Sequence, residues 1–407
     1  SRARPSDHLR ISRMAARPSA RARLLAVPAA VFHLGLLQRA LIGVAALAGV
    51  GGLVVGIGVG TGTIGNSSPP PTITVPLSEL IAGEPVAIAS DHTGHDQYGS
   101  PYPVLVARQD DGSVKAFSNV CRHRGARLEG DPCGNRRAFT CPFHAWTYGR
   151  DGRLKTISYP AGFDHTDKAE RGLLALPCEE RHGFVWVVPT PGAGINVARH
   201  LGAELDAEFT AWKLDQAPCE RSAGFTGTSN WKLVVDGFLE DYHLPVLHRK
   251  TIGPYFAPNL HRFDAFGRHG RLVPVRANID QVKHLPAEQI DLLAHAIVLY
   301  VIFPNAILVW QNDHFEVWTV LPDARDPARC SMTARLLAPN RDRLVPDKPL
   351  WDKNWKILLD TVEQEDWHTA RGIQAGLAHS GQQDFIFGRN EPALQHFHQM
   401  LAAAVGG

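Results

Sequence analysis

The sequence predicts an α+β protein: a small all-β domain, then a second domain built from an antiparallel sheet and helices. Two patterns predict it. Short apolar runs separated by turn signals fill residues 72–191, as in a compact β domain. Longer runs rich in Val, Ile, Phe and Trp then precede a Trp-studded helical segment, the order of an α+β domain. Composition agrees. The 407 residues suit two or three domains, and 20% charged with 44% hydrophobic residues is a globular balance. A net charge of +2 gives no footing for nucleic acid. Six Cys in so long a chain form no disulfide framework. Twenty His direct attention to metal sites.

The leader comes first. Residues 1–40 hold eight Arg against one acid, Asp7, and residues 41–70 hold no charge. Leu41 to Ile64 is 24 residues long, enough for a membrane span. Eight of the 24 are Gly, each costing ~1 kcal/mol of helix propensity. Residues 1–71 are therefore read as an extension outside the folded body, in a cytoplasmic protein. A membrane anchor through 41–64 and a cleaved, Arg-rich targeting leader are the alternatives. Ser67-Ser68-Pro69-Pro70-Pro71 marks the boundary.

The elements follow in order. Pro103–Arg108, Val114–Phe117, Phe139–Cys141 and Phe184–Val188 are expected strands of the first domain. Pro189-Thr190-Pro191-Gly192-Ala193-Gly194 reads as a linker. Ala296–Phe303, Ala306–Gln311, Phe315–Leu321 and Cys330–Leu337 form an expected meander, turning at Pro304-Asn305 and Asn312-Asp313. Trp351, Trp355, Leu358, Leu359, Val362 and Trp367 give residues 350–377 helical spacing.

Two loops carry mixed ligands. Cys121-Arg122-His123 is followed by Cys141-Pro142-Phe143-His144, a C-x-H-x17-C-x2-H pattern. A Cys₂His₂ zinc site is one reading. One thiolate and one imidazole per loop better suits a two-iron cluster with both Cys on one iron and both His on the other, the Rieske arrangement. With their flanks, CRHRGARL and CPFHAWTYGRDGRL resemble the Rieske domain of the ring-hydroxylating oxygenases. The respiratory-chain Rieske protein carries an extra Cys in each loop. Arg124-Gly125-Ala126 and Phe143 offer none here. Cys133, Cys178, Cys219 and Cys330 are expected to be buried or free thiols.

A second motif lies downstream. Asn230-Trp231-Lys232 leads into Glu240-Asp241-Tyr242-His243 and, five residues on, His248. On a regular helix that pair would diverge by ~140°, and Pro245 lies between. The two can share a metal only where the helix is distorted or ends. Taken with N-W-K, the segment resembles the mononuclear iron motif of Rieske oxygenase α subunits, and QEDWHTARGIQAGL resembles their C-terminal helix. The resemblance implies a cluster held by Cys121, His123, Cys141 and His144 in a Rieske domain, 72–191. It implies an iron held by His243, His248 and Asp366 in a helix-grip-like catalytic domain, 192–407. Glu240 is implied as the bridge between His243 and a Rieske His of a neighbouring subunit, with Asp241 the alternative, and Asn230 is grouped with Glu240 as catalytic. Asp360 and Glu363 are expected on a solvated face, and His396 and His398 in structural roles.

The implied activity is that of a terminal oxygenase. Electrons from a separate NAD(P)H-dependent reductase, directly or through a ferredoxin, pass by His144 and Glu240 to Fe(II). With O₂ as co-substrate, a small organic and expectedly aromatic substrate is mono- or dioxygenated. A homotrimer, with or without a β subunit, is implied. The alternative is a Rieske electron carrier without oxygenase activity. Phe256, Phe263, Phe266, Leu299, Val309 and Phe315 are candidate pocket walls.

Overall fold

The structure is a computed structural model. It describes residues 104–130, 134–188, 191–217, 219–286, 289–323, 326–338, 348–377, 379 and 384–404, with short strands at 31–33, 73–76 and 87–90. Leu41–Ile64 and Cys133 lie outside the described residues. Among the described residues no helix is long and apolar enough to cross a membrane. Val31–His33 pairs antiparallel with Asp384–Ile386.

The first domain consists of three small antiparallel sheets. Its strands are β1 (Ile73–Pro76), β2 (Ala87–Ser90), β3 (Val104–Arg108), β4 (Val114–Ser118), β5 (Ala138–Thr140), β6 (Thr147–Gly149), β7 (Leu154–Thr156), β8 (Ala175–Leu176), β9 (Cys178–Arg181) and β10 (Phe184–Val187). They pair in the orders β2-β3-β4-β8, β5-β6-β7 and β9-β10-β1. Strand β3 shows why its sequence is a continuous apolar run. Side chains alternate across a strand, and here both faces are covered. Val104 and Val106 pack with Val185 and Val187, whereas Leu105 and Ala107 pack with Phe117, Phe139 and Tyr148. The second of these cores also holds Cys121 and Cys141, so the loops of the first motif are rooted in packed apolar side chains.

The second domain is one seven-stranded antiparallel sheet with helices on both faces. The strands are β11 (Cys219–Gly227), β12 (Phe256–Phe266), β13 (His269–Arg276), β14 (Val298–Ile302), β15 (Ala306–Trp310), β16 (Phe315–Pro322) and β17 (Cys330–Leu337), in the order β11-β17-β16-β15-β14-β13-β12. Helices α1 (Val197–Leu201) and α2 (Ala203–Trp212) cover one face with β10. There Val298, Tyr300, Ile302, Leu308 and Val317 meet Phe184, Trp186, Leu205 and Phe209. Helices α3 (Trp231–Asp236), α4 (Lys348–Thr361), α5 (Trp367–Leu377) and α6 (Pro392–Ala404) belong to the other face. Its core joins Leu299, Val301, Val309, Trp318 and Val320 to Trp231, Trp367 and Phe397. The fold is therefore α+β, as expected.

The structure differs from the sequence reading in three places. The segment expected as one helix is broken by a π-helical turn, Val362–Asp366, between α4 and α5. The short helices α1 and α2 follow the linker, and the long hairpin β12–β13 precedes the meander. Strand β12 is an edge strand, half-exposed and carrying a Pro, which weakens its apolar alternation.

Candidate metal centres

The two loops of the first domain have the same backbone. Cys121 N–H donates to Ala126 O (2.7 Å) and Gly125 N–H to Cys121 O (3.0 Å). In the second loop Cys141 N–H donates to Trp146 O (2.8 Å) and Ala145 N–H to Cys141 O (2.9 Å). Both turns need a left-handed residue, Gly125 (φ 80°) and Ala145 (φ 55°). The Gly is the unstrained choice. The imidazoles of His123 and His144 lie side by side, with ring centroids 4.8 Å apart, and His123 stacks on Trp146 at 4.6 Å.

This donor set fits a Rieske [2Fe-2S] cluster. Both thiols are buried, each 2% exposed. His144 Nδ1 is buried with no hydrogen-bond partner, an atom that a metal bond would satisfy. Burial, then the charges of His144 and Arg124, hold His123 below the ordinary imidazole range, in its neutral ligand form. Burial raises the Cys121 thiol, against a hydrogen bond from Tyr148. The Tyr148 oxygen accepts from Arg122 N–H (3.0 Å) and lies 3.3 Å from Cys121 Sγ, so its O–H is free to donate to sulfur. Cys178 and Cys330 are free thiols, as expected, and Cys219 Sγ lies 3.4 Å from Arg221 O.

In the second domain the helix ends where the motif requires it. Helix α3 stops at Asp236, and His243 to Thr251 runs through successive turns. Val246 and Leu247 N–H donate to His243 O (3.0 and 2.8 Å), while Gly253 N–H donates to His248 O (2.9 Å). A Cβ on Gly253 would come within 2.4 Å of Leu244 O, so this loop closes only on glycine. The His243 and His248 rings thereby stand 4.9 Å apart despite their five-residue spacing. Asp366 arrives from the π-helical turn: its Oδ1 lies 2.9 Å from His248 Nε2 and 3.7 Å from His243 Nε2. One donor atom from each of the three falls within 4.8 Å of the others.

Carboxylates set the direction of both rings. Glu240 accepts from His243 N–H (2.9 Å) and meets His243 Nδ1 at 2.5 Å. Glu365 meets His248 Nδ1 at 2.6 Å and accepts from Thr251 Oγ1 at 2.7 Å. With protons on both Nδ1 atoms, both Nε2 lone pairs face Asp366. Burial resists charge on His248, yet Asp366 and Glu365 raise it above the ordinary imidazole range. Burial likewise opposes charge on Glu365, and the hydrogen bonds from His248 and Thr251 still hold it low. Three carboxylates gathered around the two rings make a site suited to a divalent cation, which would take the imidazoles as neutral ligands. Two histidines and one carboxylate with open positions are the facial ligand set of non-heme Fe(II) oxygenases.

A cavity of about 880 Å³ opens beside this triad. Phe256, Leu299 and Val309 line it, as expected. Phe263, Phe266 and Phe315 are not among its walls. Phe263 packs against the helix-side core, while Phe266 and Phe315 serve the core on the opposite sheet face, as strand alternation dictates.

Other residues have different uses from those read in the sequence. Asn230 is a correction: it caps α3, accepting from Lys232 N–H (3.0 Å) and donating Nδ2–H to Pro327 O (2.7 Å). Its side chain is committed to that cap and does not line the cavity. Asp241 faces His261 Nδ1 at 2.8 Å, not an iron-site His. Asp360, Glu363 and His398 are as expected: Asp360 pairs with Lys356 on an exposed face, Glu363 is exposed, and His398 meets Asp236 at 2.9 Å. Glu365 was missed: adjacent residues lie ~100° apart on a regular helix, so Glu365 and Asp366 did not read as sharing a site.

Comparison with known proteins agrees with this architecture. The family described as "Rieske [2Fe-2S] domain" matches residues 75–167, and "Ring hydroxylating alpha subunit (catalytic domain)" matches 205–407. The large subunit of anthranilate 1,2-dioxygenase from Acinetobacter baylyi is 36% identical over 154 residues, 36% of this chain and 32% of that protein. Chloroplastic choline monooxygenase from Beta vulgaris is 27% identical over 316 residues, 73% of this chain and 65% of that protein. The first of these alignments thus spans about a third of its relative's length. Among solved structures, the quaternary ammonium Rieske monooxygenase CntA matches with a TM-score of 0.68 at 18% identity, covering 82% of this chain and 89% of that one. A naphthalene 1,2-dioxygenase variant matches with a TM-score of 0.63 at 19% identity, covering 83% and 87%. The chain belongs to the family of Rieske ring-hydroxylating oxygenase α subunits, with a [2Fe-2S] cluster and a mononuclear iron as its cofactors.

Proposed function

We propose that the protein is the terminal oxygenase of a multicomponent system, hydroxylating a small organic substrate with O₂. The observation that carries this is the convergence of His243, His248 and Asp366 at the wall of a large cavity. An electron carrier has no use for a second metal triad facing a substrate-sized space. When bound, the cluster supplies single electrons and the mononuclear iron supplies O₂ activation.

The chain's own residues account for the rest. Cys121, His123, Cys141 and His144 hold the cluster; His243, His248 and Asp366 hold the iron. Glu240 and Glu365 fix the tautomer and direction of the two imidazoles. Leu299, Val309 and Trp318 contribute an apolar wall that excludes water from the reacting centre. Glu240 lies on the electron path between His243 and His144 of a neighbouring copy, in a homotrimer fed by a ferredoxin or an NAD(P)H-dependent reductase. Residues 1–71 are an extension to a Rieske domain (72–191) and a catalytic domain (192–407), touching the latter where Val31–His33 pairs with Asp384–Ile386.

The test is oxygen uptake by purified protein with a compatible reductase, over a panel of aromatic, acidic and quaternary-amine compounds. The preparation should contain about three irons and about two labile sulfides per chain. Reducible cluster without substrate-dependent uptake across the panel would favour the electron carrier.

A further inference from the structure

The cavity beside the iron triad is mostly apolar; Asp236, Glu391 and Lys353 add scattered charge to its wall, and one further stretch gathers several polar groups. Arg276 ends β13, Gln311 follows β15, and Glu316 lies in β16; all three line the cavity with Asp313 and His314. The acceptors of this group are largely spent on one another. Glu316 Oε1 accepts from Gln311 Nε2 (3.0 Å) and its Oε2 from Trp318 Nε1 (3.0 Å). His314 Nδ1 meets Asp313 at 2.6 Å and its Nε2 lies 3.7 Å from Glu316. Burial opposes charge on His314, yet its contacts with Asp313 and Glu316 lift it to about 9. The imidazolium thus offsets part of the carboxylate charge that also acts on the arginine.

Arg276 is held below the ordinary guanidinium range by burial, which outweighs the charges of Asp313 and Glu316; it bonds to neither. Its side-chain hydrogen bond runs from one terminal nitrogen to the neutral Gln311 oxygen (2.9 Å), and its guanidinium lies over the Phe256 ring at 5.6 Å. Its Nε is buried with no acceptor. A desolvated donor without an acceptor is costly, and the planar fork of an arginine is matched best by a planar carboxylate. An ammonium group would meet like charge there. A neutral group would satisfy a donor but not the charge.

We propose that Arg276 anchors a carboxylate of the substrate, so that the substrate is a small organic acid with an apolar body. This rests on the terminal-oxygenase reading. The wall of Phe256, Leu299, Val309 and Trp318 takes the carbon skeleton, and the anchor fixes which carbon is presented to the iron triad.

The test uses the full chain with both metals loaded, under anaerobic conditions and without reductase, so that binding is read apart from turnover. Benzoate, cyclohexanecarboxylate and 3-phenylpropionate are titrated calorimetrically against their primary amides. At least one acid should bind about tenfold or more tighter than its amide. Arg276→Gln should abolish the preference, and Arg276→Lys, which keeps charge but not the fork, should retain part of it. Cluster absorbance and iron content confirm that each variant is folded. If no acid outbinds its amide, or Arg276→Gln keeps the preference, the anchor is wrong. Acid preference without oxygen uptake on any acid upholds the anchor and sinks the oxygenase reading. Reductase-dependent uptake on neutral or cationic compounds alone does the reverse.

Discussion

Replacing Glu240 by Gln separates holding a metal ligand from serving the electron path. Glu240 makes two contacts with His243, at Nδ1 (2.5 Å) and at the backbone N–H (2.9 Å), and its side chain is only 14% exposed. Gln has one acceptor oxygen for two donors. If that oxygen keeps the backbone N–H, its amide faces Nδ1, and the imidazole proton is driven to Nε2, the atom that must face the iron. If it keeps Nδ1, a charge-assisted bond of ~1.5–3 kcal/mol becomes a neutral one of ~0.5–1.5 kcal/mol. The difference of about 1.4 kcal/mol corresponds to roughly tenfold weaker iron binding. Iron titration of the apo site should read that loss, with the cluster spectrum unchanged. Turnover at saturating iron should still fall by about 100-fold, because the electron path loses its bridge. Glu365→Gln is the comparator: it should weaken iron binding similarly but recover turnover once iron saturates. Full turnover in Glu240→Gln with unaltered iron affinity would refute the assignment. Asp241 would be a poor replacement, since it is committed to His261.

Four further outcomes are expected. Asp366→Ala removes the carboxylate that faces both imidazoles of the triad, so metal analysis should lose the mononuclear iron while cluster absorbance persists. In oligomers mixed with a Cys121→Ser chain, some activity should return if electrons cross between copies, and verified mixed oligomers without rescue count against that path. His314 is raised to about 9 by Asp313 and Glu316 against its burial; its stabilisation is complete below the ordinary imidazole value, ~6.5, and is lost as pH rises through 9. Urea unfolding should therefore show a loss of up to about 3 kcal/mol between pH 6 and pH 10 that is missing in His314→Gln. A chain beginning at Pro71 loses the Val31–His33 pairing with Asp384–Ile386 but should retain both metal centres; loss of either on truncation would make residues 1–70 necessary to the folded body.

Local chemistry made much of this protein legible from sequence. A Rieske centre needs two thiolates and two imidazoles on loops short enough to be read as words, and C-x-H with C-x2-H supplies them. Strands such as Val104–Arg108 and Val298–Ile302 were visible because both faces are buried, leaving unbroken apolar runs. The strand β12 was not, because an exposed edge carries little apolar signal. The polar positions were harder for a different reason: Asn230 looks like a candidate site residue in sequence, but its buried side chain is spent capping a helix.

Tertiary structure decided what depends on direction. Sequence order places His243 and His248 five residues apart, but only the end of α3 at Asp236 and the turns that follow bring their rings to 4.9 Å. It places Glu365 beside Asp366, but only the π-helical turn, packed against the His248 loop, aims both carboxylates at one imidazole. Arg276 reads as one arginine among many until the sheet sets it beside Gln311 and leaves its Nε buried without an acceptor. Ligand identity is a property of residue type and survives in one dimension. Ligand direction and an unmet hydrogen bond are properties of packing, which linear spacing does not encode.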